Sequence, residues 1–283
     1  ITNKRKDGEL YIAESSISPI LDDSGNVIFF VGVERDITKI KEIDKSKTEF
    51  VSLASHQLRT PLSAINWYTE MLLGGDAGDL NPKQKEYATE VYASSKRMSE
   101  LVGALLNVSR IELGTFAIEP KLINIAEIAD SVIKELQQKI NSKNLAVGRK
   151  YASDVPAINA DPNLVRMVIQ NLITNSVKYT PDGGKITVSW SVDKKDLIMS
   201  VADTGCGIPL HQQDKIYQKF FRADNIIPVE TDGTGLGLYM VKEVIEKSGG
   251  TIRFDSEENN GTTFYVTIPL SGMKGRTGTK NLT

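Results

Sequence analysis

From Tyr87 to Val108 the sequence has a seven-residue repeat of mostly apolar side chains, and this spacing constrains the fold more than any other feature of the sequence. Asn81 is suited to cap a helix there, Pro82 to occupy its first position and Gly114 to end it. The repeat forms two adjoining seams, which are Tyr87, Ser94, Leu101 and Val108, and Val91, Met98 and Leu105.

A second apolar stripe precedes this helix and runs from about Thr38 to Leu72, until "GGDAGDL" at 74–80 interrupts it. Two such helices joined by a short loop form a hairpin with too little surface to bury its apolar face alone. Pairing two hairpins gives a four-helix bundle, so the pattern predicts a homodimer. Periodicity identifies a buried face but not its partner, so packing against the rest of the same chain is the alternative.

Two strand patterns, at 9–20 and 27–37, lie before the helices and are separated by the turn cluster "DDSGN". Two strands alone are marginally stable in water, so these belong to a larger module or rest on another part of the protein. Because the chain opens with Ile1 rather than Met, we expect it to be a piece of a longer protein.

Strand and helix patterns alternate through residues 121–272. "DPNLVRMVIQNLITNSVKYT" is typical of a helix capped by Asp161, and "GTGLGLYMVKEVIEKSG" of a glycine-rich loop that opens a helix. Strands are predicted at "GKITVSWSV", "LIMSVAD", "GTIRFDS" and "GTTFYVTIP". This order predicts an α+β domain whose sheet is covered on one side by helices. Residues 273–283 are expected to be a disordered tail.

Charge, cysteine content and hydropathy exclude several classes of protein. The net charge of −2 gives no general attraction to nucleic acid or to an anionic membrane. The single cysteine, Cys206, excludes an internal disulfide framework and fits a reducing compartment. There is no signal peptide and no apolar run of about 18 residues. We therefore expect a cytoplasmic segment without nucleic-acid or membrane contact, and any membrane anchor of the full-length protein would precede Ile1.

Asn171 and Asn175 are four residues apart, so they share one face of their helix, with Lys178 beside them. Two amide oxygens and an ammonium on one face suit a magnesium ion and the phosphates that it bridges. The pattern is weak alone, because amides on a helix surface are commonly just solvated.

"DTGCGIP" at 203–209 places an acid at the end of an apolar strand. The Asp203 carboxylate could accept a hydrogen bond from an exocyclic amine such as that of adenine. Gly205 and Gly207 would let a flat ring approach the backbone. A strand-ending turn without a ligand is the common alternative.

"DGTGLGLYMVK" at 232–242 can direct backbone N–H groups at phosphates, and the helix that follows adds its positive N-terminus. It does not match the dinucleotide-binding fingerprint, because no strand precedes it. It does not match the P-loop either, because no lysine follows the glycine.

Together and in this order, the three motifs resemble the nucleotide-binding fold shared by sensor histidine kinases, DNA gyrase, mismatch-repair ATPases and heat-shock chaperone ATPases. The resemblance implies bound ATP and Mg²⁺, with Asn175 as the metal ligand. The nucleotide-binding residues that it implies are Asn171, Asn175, Lys178, Tyr179, Asp203, Gly205, Gly207, Ile208, Gly233, Thr234, Gly235, Leu236, Gly237, Leu238 and Thr262.

"KIYQKFFRADN" at 215–225 resembles the mobile lid of the kinase branch. The resemblance implies that Phe220 and Phe221 pack the lid and that Arg222 reaches the γ-phosphate; an amphipathic surface helix is the alternative. In the chaperone and gyrase ATPases a Glu lies four residues before the metal-binding Asn and activates water. Asn171 holds that position here, and an amide cannot act as a base.

"FVSLASHQLRTPLSAI" resembles the phosphoacceptor box of the histidine kinases. At about 100° per residue, His56 lies roughly 200° from both Ala54 and Leu58, so it faces away from their seam. A neutral imidazole has a free ring nitrogen that can accept a phosphoryl group. Pro61 cannot donate to the carbonyl of Gln57, so the helix is expected to loosen or kink there. The other histidine, His211, is expected on the surface.

The family usually has Glu or Asp directly after the phosphoacceptor His, whereas this chain has Gln57, which can accept a hydrogen bond but cannot take a proton. Thr60 matches the family's phosphatase motif. The resemblance implies a histidine autokinase that phosphorylates His56 and passes the phosphoryl group to an Asp of a response regulator, with Gln57, Thr60 and Arg222 as further catalytic residues. The alternatives are a catalytically weak dimeric signalling scaffold and an ATPase of the chaperone or gyrase kind.

The opening segment resembles the last strands of a PAS sensory domain. Four parts are therefore expected: the end of a PAS domain at 1–38, a dimerising phosphotransfer hairpin at 39–118, a catalytic ATP-binding domain at 119–272 and the tail at 273–283. The expected fold is a four-helix bundle built from two hairpins, followed by an α+β sandwich of the Bergerat type.

Overall fold

The computed structural model describes residues 2–227 and 233–276, together with residues 278 and 282. The chain forms two compact units, residues 1–54 and residues 55–283. In the described ranges, no helix is both long enough and apolar enough to cross a membrane.

The first unit contains an antiparallel sheet of three strands in the order β1 (Thr2–Lys4), β2 (Leu10–Leu21) and β3 (Val27–Asp36). The turn between β2 and β3 is held by the Asp22 carboxylate, which accepts from the backbone N–H groups of Ser24 and Asn26. The two predicted strands are confirmed, and the short strand β1 was not predicted.

Two long helices follow, α1 (Thr38–Gly74) and α2 (Pro82–Glu112). The Asn81 side chain accepts from the Gln84 N–H, and the Gln84 side chain accepts from the Asn81 N–H, which completes a capping box. Helix α1 continues through Pro61, and the residues on both sides of the proline are helical. The predicted start of α2 at Pro82 is confirmed.

The side chains that α1 and α2 bury against each other are not those of the predicted seams. Ser95 on α2 donates to the Leu62 carbonyl on α1 at 3.4 Å, and the Asn66 amide donates to Ser99 at 3.3 Å. Buried residues along this contact are Ser55, Leu62 and Thr69 on α1 and Ser95, Val102 and Leu106 on α2.

The predicted seams of α2 divide between two environments. Tyr87, Val91, Met98 and Leu101 are exposed, as a face that requires a partner would be. Val108, in contrast, is buried in the core of the domain that follows, and Leu105 packs against that core. The alternative of packing against the same chain therefore holds for the last turns of α2, because the helix end is built into the next domain.

The following domain has a five-stranded sheet in the order β5 (Ala146–Tyr151), β7 (Lys185–Asp193), β8 (Asp196–Asp203), β10 (Gly261–Pro269) and β9 (Thr251–Glu257). The β5–β7 pair is parallel and the other pairs are antiparallel. A separate antiparallel pair joins β4 (Lys121–Ile123) to β6 (Ile158–Ala160).

Helices cover one face of the five-stranded sheet. They are α3 (Ile125–Glu135), α4 (Gln137–Ser142), α5 (Pro162–Tyr179) and α6 (Gly237–Lys247), and a 3₁₀ helix spans Leu210–Lys215. Burial alternates along β8 and β10, so every second side chain packs against α5 and α6. The predicted α+β architecture is confirmed, as is the Asp161 cap, which accepts from the N–H groups of Asn163 and Leu164.

The start of the expected tail is ordered. Met273 is buried and its N–H donates to the Asn159 carbonyl at 2.8 Å. Arg276 pairs with Ile118 in a β-bridge, and its guanidinium donates to the Gly114 carbonyl at 2.6 Å. The expected disorder is therefore wrong for residues 273–276, because they pack on the segment that joins α2 to β4. Residues 277, 279–281 and 283 lie outside the described residues.

Candidate active site

The end of α5, the loop after β8 and the start of α6 surround a cleft of about 590 Å³. The C-terminal end of α5 is fixed by Lys143, whose Nζ donates to the carbonyls of Val177, Lys178 and Thr180 at 2.8–3.0 Å. An ammonium at this position also complements the negative end of the helix dipole. The last turn of α5, which carries Lys178 and Tyr179 into the cleft, is therefore held in place.

Asp203 is the acid of this cleft, and its carboxylate accepts hydrogen bonds from three donors. Oδ1 accepts from the backbone N–H groups of Gly205 at 3.0 Å and Thr262 at 3.2 Å. Oδ2 accepts from the Ser176 hydroxyl at 2.9 Å. Burial raises the pKa of Asp203, and these hydrogen bonds partly oppose that rise. Oδ2 retains acceptor capacity towards the cleft.

The two asparagines of α5 also line the cleft. The Asn171 Nδ2 donates to the Met167 carbonyl at 2.8 Å, which orients the amide and leaves Oδ1 directed at the start of α6. A Cβ at Gly237 would lie 2.5 Å from this Oδ1, so any other residue there would displace the Asn171 amide. Asn175 lies one helical turn further along the same face, where it contributes a second amide to the lining.

The loop before α6 gives the cleft its backbone donors. Helix α6 begins at Gly237, and no side chain of the described residues caps it; its first N–H groups also have no intrahelical partner at that end. Gly235 has φ +66°, and a Cβ there would lie 2.6 Å from the Phe220 carbonyl carbon. The Phe220 N–H donates to the Gly235 carbonyl at 3.0 Å, which ties this loop to the predicted lid. Asp232, the first residue of the predicted motif, lies outside the described residues.

The predicted lid is irregular rather than helical after the 3₁₀ helix, so the surface-helix alternative does not hold. Phe221 packs against the core, but Phe220 is 59% exposed with φ +63°, so only Phe221 packs as predicted. Asn225 Nδ2 donates to the carbonyls of Cys206 and Gly207 at 3.2 and 3.0 Å, and so joins the lid to the loop after β8. His211 is exposed, as predicted.

Most of the predicted nucleotide-binding residues meet in the cleft. Those that line it are Asn171, Asn175, Lys178, Tyr179, Asp203, Gly207, Ile208, Gly233, Thr234, Gly235, Gly237, Leu238 and Thr262, together with Arg222. Two do not line it. Gly205 lies behind the Asp203 carboxylate as a hydrogen-bond donor, and Leu236 is fully buried in the core, where its side chain packs rather than faces a ligand.

The predicted phosphoacceptor residues lie elsewhere. His56, Gln57 and Thr60 are exposed on α1, which agrees with the prediction that His56 faces away from the hairpin seam. A neighbouring cleft of about 730 Å³ is lined by Arg59 of α1 together with α2 and α5, and it shares Glu100 and Asn171 with the first cleft. His56 is absent from the described linings of both clefts, so the imidazole and the first cleft must approach each other for any reaction between them.

Three family models match successive parts of the chain. Residues 1–39 match a PAS domain, residues 46–114 a His Kinase A (phospho-acceptor) domain, and residues 160–272 a Histidine kinase-, DNA gyrase B-, and HSP90-like ATPase. The His Kinase A match falls on the hairpin of α1 and α2, and the ATPase match falls on the domain with the five-stranded sheet.

The chain belongs to the sensor histidine kinases.

Curated relatives of this kinase support the assignment. An uncharacterized sensor-like histidine kinase of Rhizobium meliloti is 31% identical over 268 residues, which cover 89% of this chain and 51% of the relative. The circadian input-output histidine kinase CikA of Synechococcus elongatus is 33% identical over 226 residues, which cover 79% of this chain and 30% of the relative. The chain thus spans about half the length, or less, of these relatives.

A solved structure of a kinase has the same architecture. The crystal structure of full-length ShkA in complex with AMPPNP matches with a TM-score of 0.68 and 25% identity, and the match covers 81% of this chain and 47% of ShkA. AMPPNP is an ATP analogue, and the matching domain of this kinase carries the cleft described above.

Several residues in or behind the cleft were not predicted from the sequence of this kinase. Ser176 lies behind the cleft and donates to Asp203. Glu100 and Ala104 extend the lining from α2, and they precede Asn171 by 71 and 67 positions. The spacing of residues along a single helix or strand could not have revealed these contacts, because each joins two separate elements. Ser176 directly follows Asn175, however, so a polar residue on the buried face of α5 was a signal available in the sequence.

Proposed function

We propose that this chain is the autokinase part of a two-component sensor, in which ATP phosphorylates His56 and phospho-His56 then phosphorylates an Asp of a response regulator. The observation that supports this most is the pairing, in one chain, of an exposed histidine on a phosphoacceptor hairpin with an ATP cleft that has Asn171 where hydrolytic relatives have Glu. An amide cannot deprotonate water, so the γ-phosphoryl group is retained for His56.

The residues of the cleft have complementary roles towards ATP. Asp203 accepts from the adenine amine through Oδ2, while Gly205, Gly207 and Ile208 place the loop backbone against the ring. Gly233, Thr234, Gly235, Gly237 and Leu238 present backbone N–H groups to the phosphates at the start of α6. The Leu236 N–H donates to the Thr234 hydroxyl instead, which helps to shape this loop. Lys178, Tyr179 and Thr262 complete the walls, and Arg222 approaches the γ-phosphate from the lid.

The donor set fits a magnesium ion that the triphosphate carries. The described residues contain no cluster of three or more His, Cys, Asp or Glu side chains suited to a metal. Mg²⁺ commonly keeps several waters and takes few protein oxygens in addition to the phosphates. The Asn175 amide oxygen would be its protein ligand, with Asn171 beside it, and the ion would neutralise charge on the phosphates.

His56 is the nucleophile. A ring nitrogen attacks the γ-phosphorus, the bond to the bridging oxygen of ADP breaks, and ADP leaves with the negative charge. Gln57 accepts a hydrogen bond from the imidazole and orients it. Thr60 lies one turn after His56 on the same face, and we assign to it the positioning of water when phospho-aspartate of the regulator is hydrolysed.

The assembly that performs these steps is a homodimer, formed through the exposed seam of α1 and α2, and a response-regulator receiver domain is the partner that collects the phosphoryl group. The functional parts follow the limits 1–38, 39–118 and 119–272, and the second part contributes Ile111 and Phe116 to the core of the third. The exposure of Tyr87, Val91 and Met98 supports the dimer, because a continuous stripe of exposed apolar side chains usually marks a contact surface for a partner.

The test is incubation of the chain with γ-labelled ATP and Mg²⁺, followed by exposure of the labelled protein to acid and to base. Phosphohistidine loses its label in acid and keeps it in base. His56→Gln should remove all label, and Asn175→Ala should abolish it through loss of the metal ligand. His211→Gln is the matched control and should label normally, because His211 is the other, exposed histidine.

The alternatives predict different results. Acid-labile label on His56→Gln would show that the acceptor is wrong. Steady release of phosphate without a phosphoprotein would favour an ATPase, and absence of nucleotide binding would favour a signalling scaffold.

A further inference from the structure

Ser176 lies behind the adenine-binding acid and does not itself reach the cleft. It follows Asn175 on α5, it is 1% exposed, and it is absent from the described lining of the cleft. Its hydroxyl donates to Asp203 Oδ2 at 2.9 Å. A buried hydroxyl that donates to a partly buried carboxylate makes a strong, charge-assisted hydrogen bond.

The two carboxylate oxygens of Asp203 have different surroundings. Oδ1 accepts from two backbone N–H groups, those of Gly205 and Thr262, so its donors belong to the main chain. Oδ2 accepts from Ser176, a donor that only the side chain provides. Oδ2 accepts fewer hydrogen bonds than Oδ1, so it is the oxygen that can still accept one from a ligand. The Ser176 hydroxyl fixes the orientation of this oxygen.

We propose that Ser176 is a positioning residue that keeps Asp203 an acceptor, and thereby determines the discrimination of adenine against guanine nucleotides. This inference rests on the proposed function. Adenine presents an exocyclic amine, a donor, where guanine presents a carbonyl oxygen. A carboxylate accepts from the amine and repels the carbonyl, whereas a carboxylic acid can donate to the carbonyl. Base selectivity therefore depends on the ionised form of Asp203.

Two opposing effects act on the pKa of Asp203. Burial raises its pKa, and the donors Gly205, Ser176 and Thr262 oppose that rise. The ionisable side chains that share this environment are Lys178 and Tyr179 on α5 and Cys206 in the loop; β10 and β7 face Asp203 with Thr262 and Ile186. The ionised form, and with it adenine binding, is present above the pKa and is lost as pH falls through it. Without Ser176 this loss occurs at a higher pH.

The experiment measures ATP and GTP binding by calorimetry at pH 6, 7 and 8, using the full chain, Ser176→Ala, Ser176→Thr and Ser189→Ala. Ser189 is the matched control. Its hydroxyl on β7 is hydrogen-bonded to the Ser200 hydroxyl on β8 at 2.6 Å, and neither serine is among the described residues that line the cleft. Ser176→Ala should bind ATP about tenfold more weakly at pH 7, with a larger loss at pH 6 and a smaller preference for ATP over GTP. Ser176→Thr should restore both, and Ser189→Ala should match wild type.

Several outcomes would overturn the proposal. One is a Ser176→Ala variant with the wild-type affinity and pH profile. Another is an equal, pH-independent loss for ATP and GTP, which is what a purely structural defect would give. A Ser176→Thr variant as impaired as Ser176→Ala would show that the hydroxyl is not the cause. If wild type itself does not bind ATP, the proposed function fails rather than the role of Ser176.

Discussion

The exposed seam of the hairpin gives a quantitative prediction for dimerisation. Among the exposed apolar side chains of α1 and α2, seven that follow the predicted stripe and seams are between 37% and 60% exposed, namely Leu58, Ile65, Leu72, Tyr87, Val91, Met98 and Leu101. Complete burial of such a side chain contributes about 1.5–3 kcal/mol, so burying the exposed half in both protomers contributes about 10–20 kcal/mol. Association costs about 4–15 kcal/mol, so a stable dimer is expected.

Met98→Asp tests this reasoning, because Met98 is 52% exposed in the middle of the seam. The substitution removes apolar surface and places an unpaired carboxylate from each protomer in the interface, so the dimer should dissociate at least about 1,000-fold more readily. Thr89→Asp is the matched control. Thr89 is exposed on the same helix but lies roughly 200° from both Tyr87 and Val91.

Sedimentation equilibrium over a wide range of concentrations would measure both variants. Residues 39–283 should be used, so that the exposed strands of the first unit cannot hold protomers together. Circular dichroism would show that helix content is retained. If Met98→Asp remains as dimeric as Thr89→Asp, the exposed stripe is not the dimer interface and the argument from burial is refuted.

Three further predictions concern the site. Gln57→Glu should raise the initial rate of autophosphorylation, since a true base commonly gives about 10²–10⁴-fold, whereas Gln57→Ala should slow it by less than about tenfold; a slower Gln57→Glu enzyme in labelled-ATP assays would contradict this. Gly237→Ala should weaken ATP binding by about tenfold or more, because the added Cβ would lie 2.5 Å from the Asn171 amide oxygen. The helical control Gly103→Ala, which has open space, should bind normally in calorimetry. Asp203→Asn should weaken ATP binding by about 1–3 kcal/mol, and unchanged affinity would remove the assigned adenine contact.

Local signals in the sequence predicted the secondary structure well. The Asn81–Pro82 and Asp161–Pro162 pairs specify helix starts through caps and a fixed φ, and the structure places α2 and α5 accordingly. The alternation in "GKITVSWSV" likewise predicts β7 with one buried face, as observed. These features need only neighbouring residues, so a single sequence can reveal them.

Long-range packing could not be predicted in the same way. The heptad at Val108 predicts a dimer contact, but the residue packs into its own ATP-binding domain, since periodicity does not name a partner. Arg276 lies in a polar, glycine-rich segment that suggests disorder, yet Gly114 and Ile118 supply its hydrogen-bond partners from far along the chain. Ser176 is likewise explained only once β8 is seen to bring Asp203 against α5.

The core of the ATP-binding domain has a consequence for how genes of this architecture can be cut and recombined. Ile111 and Phe116 are fully buried in that core although they precede β4, and Lys247 of α6 donates to the Ile111 carbonyl at 2.7 Å. A catalytic fragment that starts at residue 119 would lack Ile111 and Phe116 and so would lose part of its hydrophobic core. A recombination point that leaves both halves intact must therefore fall within α2, before Val108, where a helix can be joined in register to the helix of another hairpin.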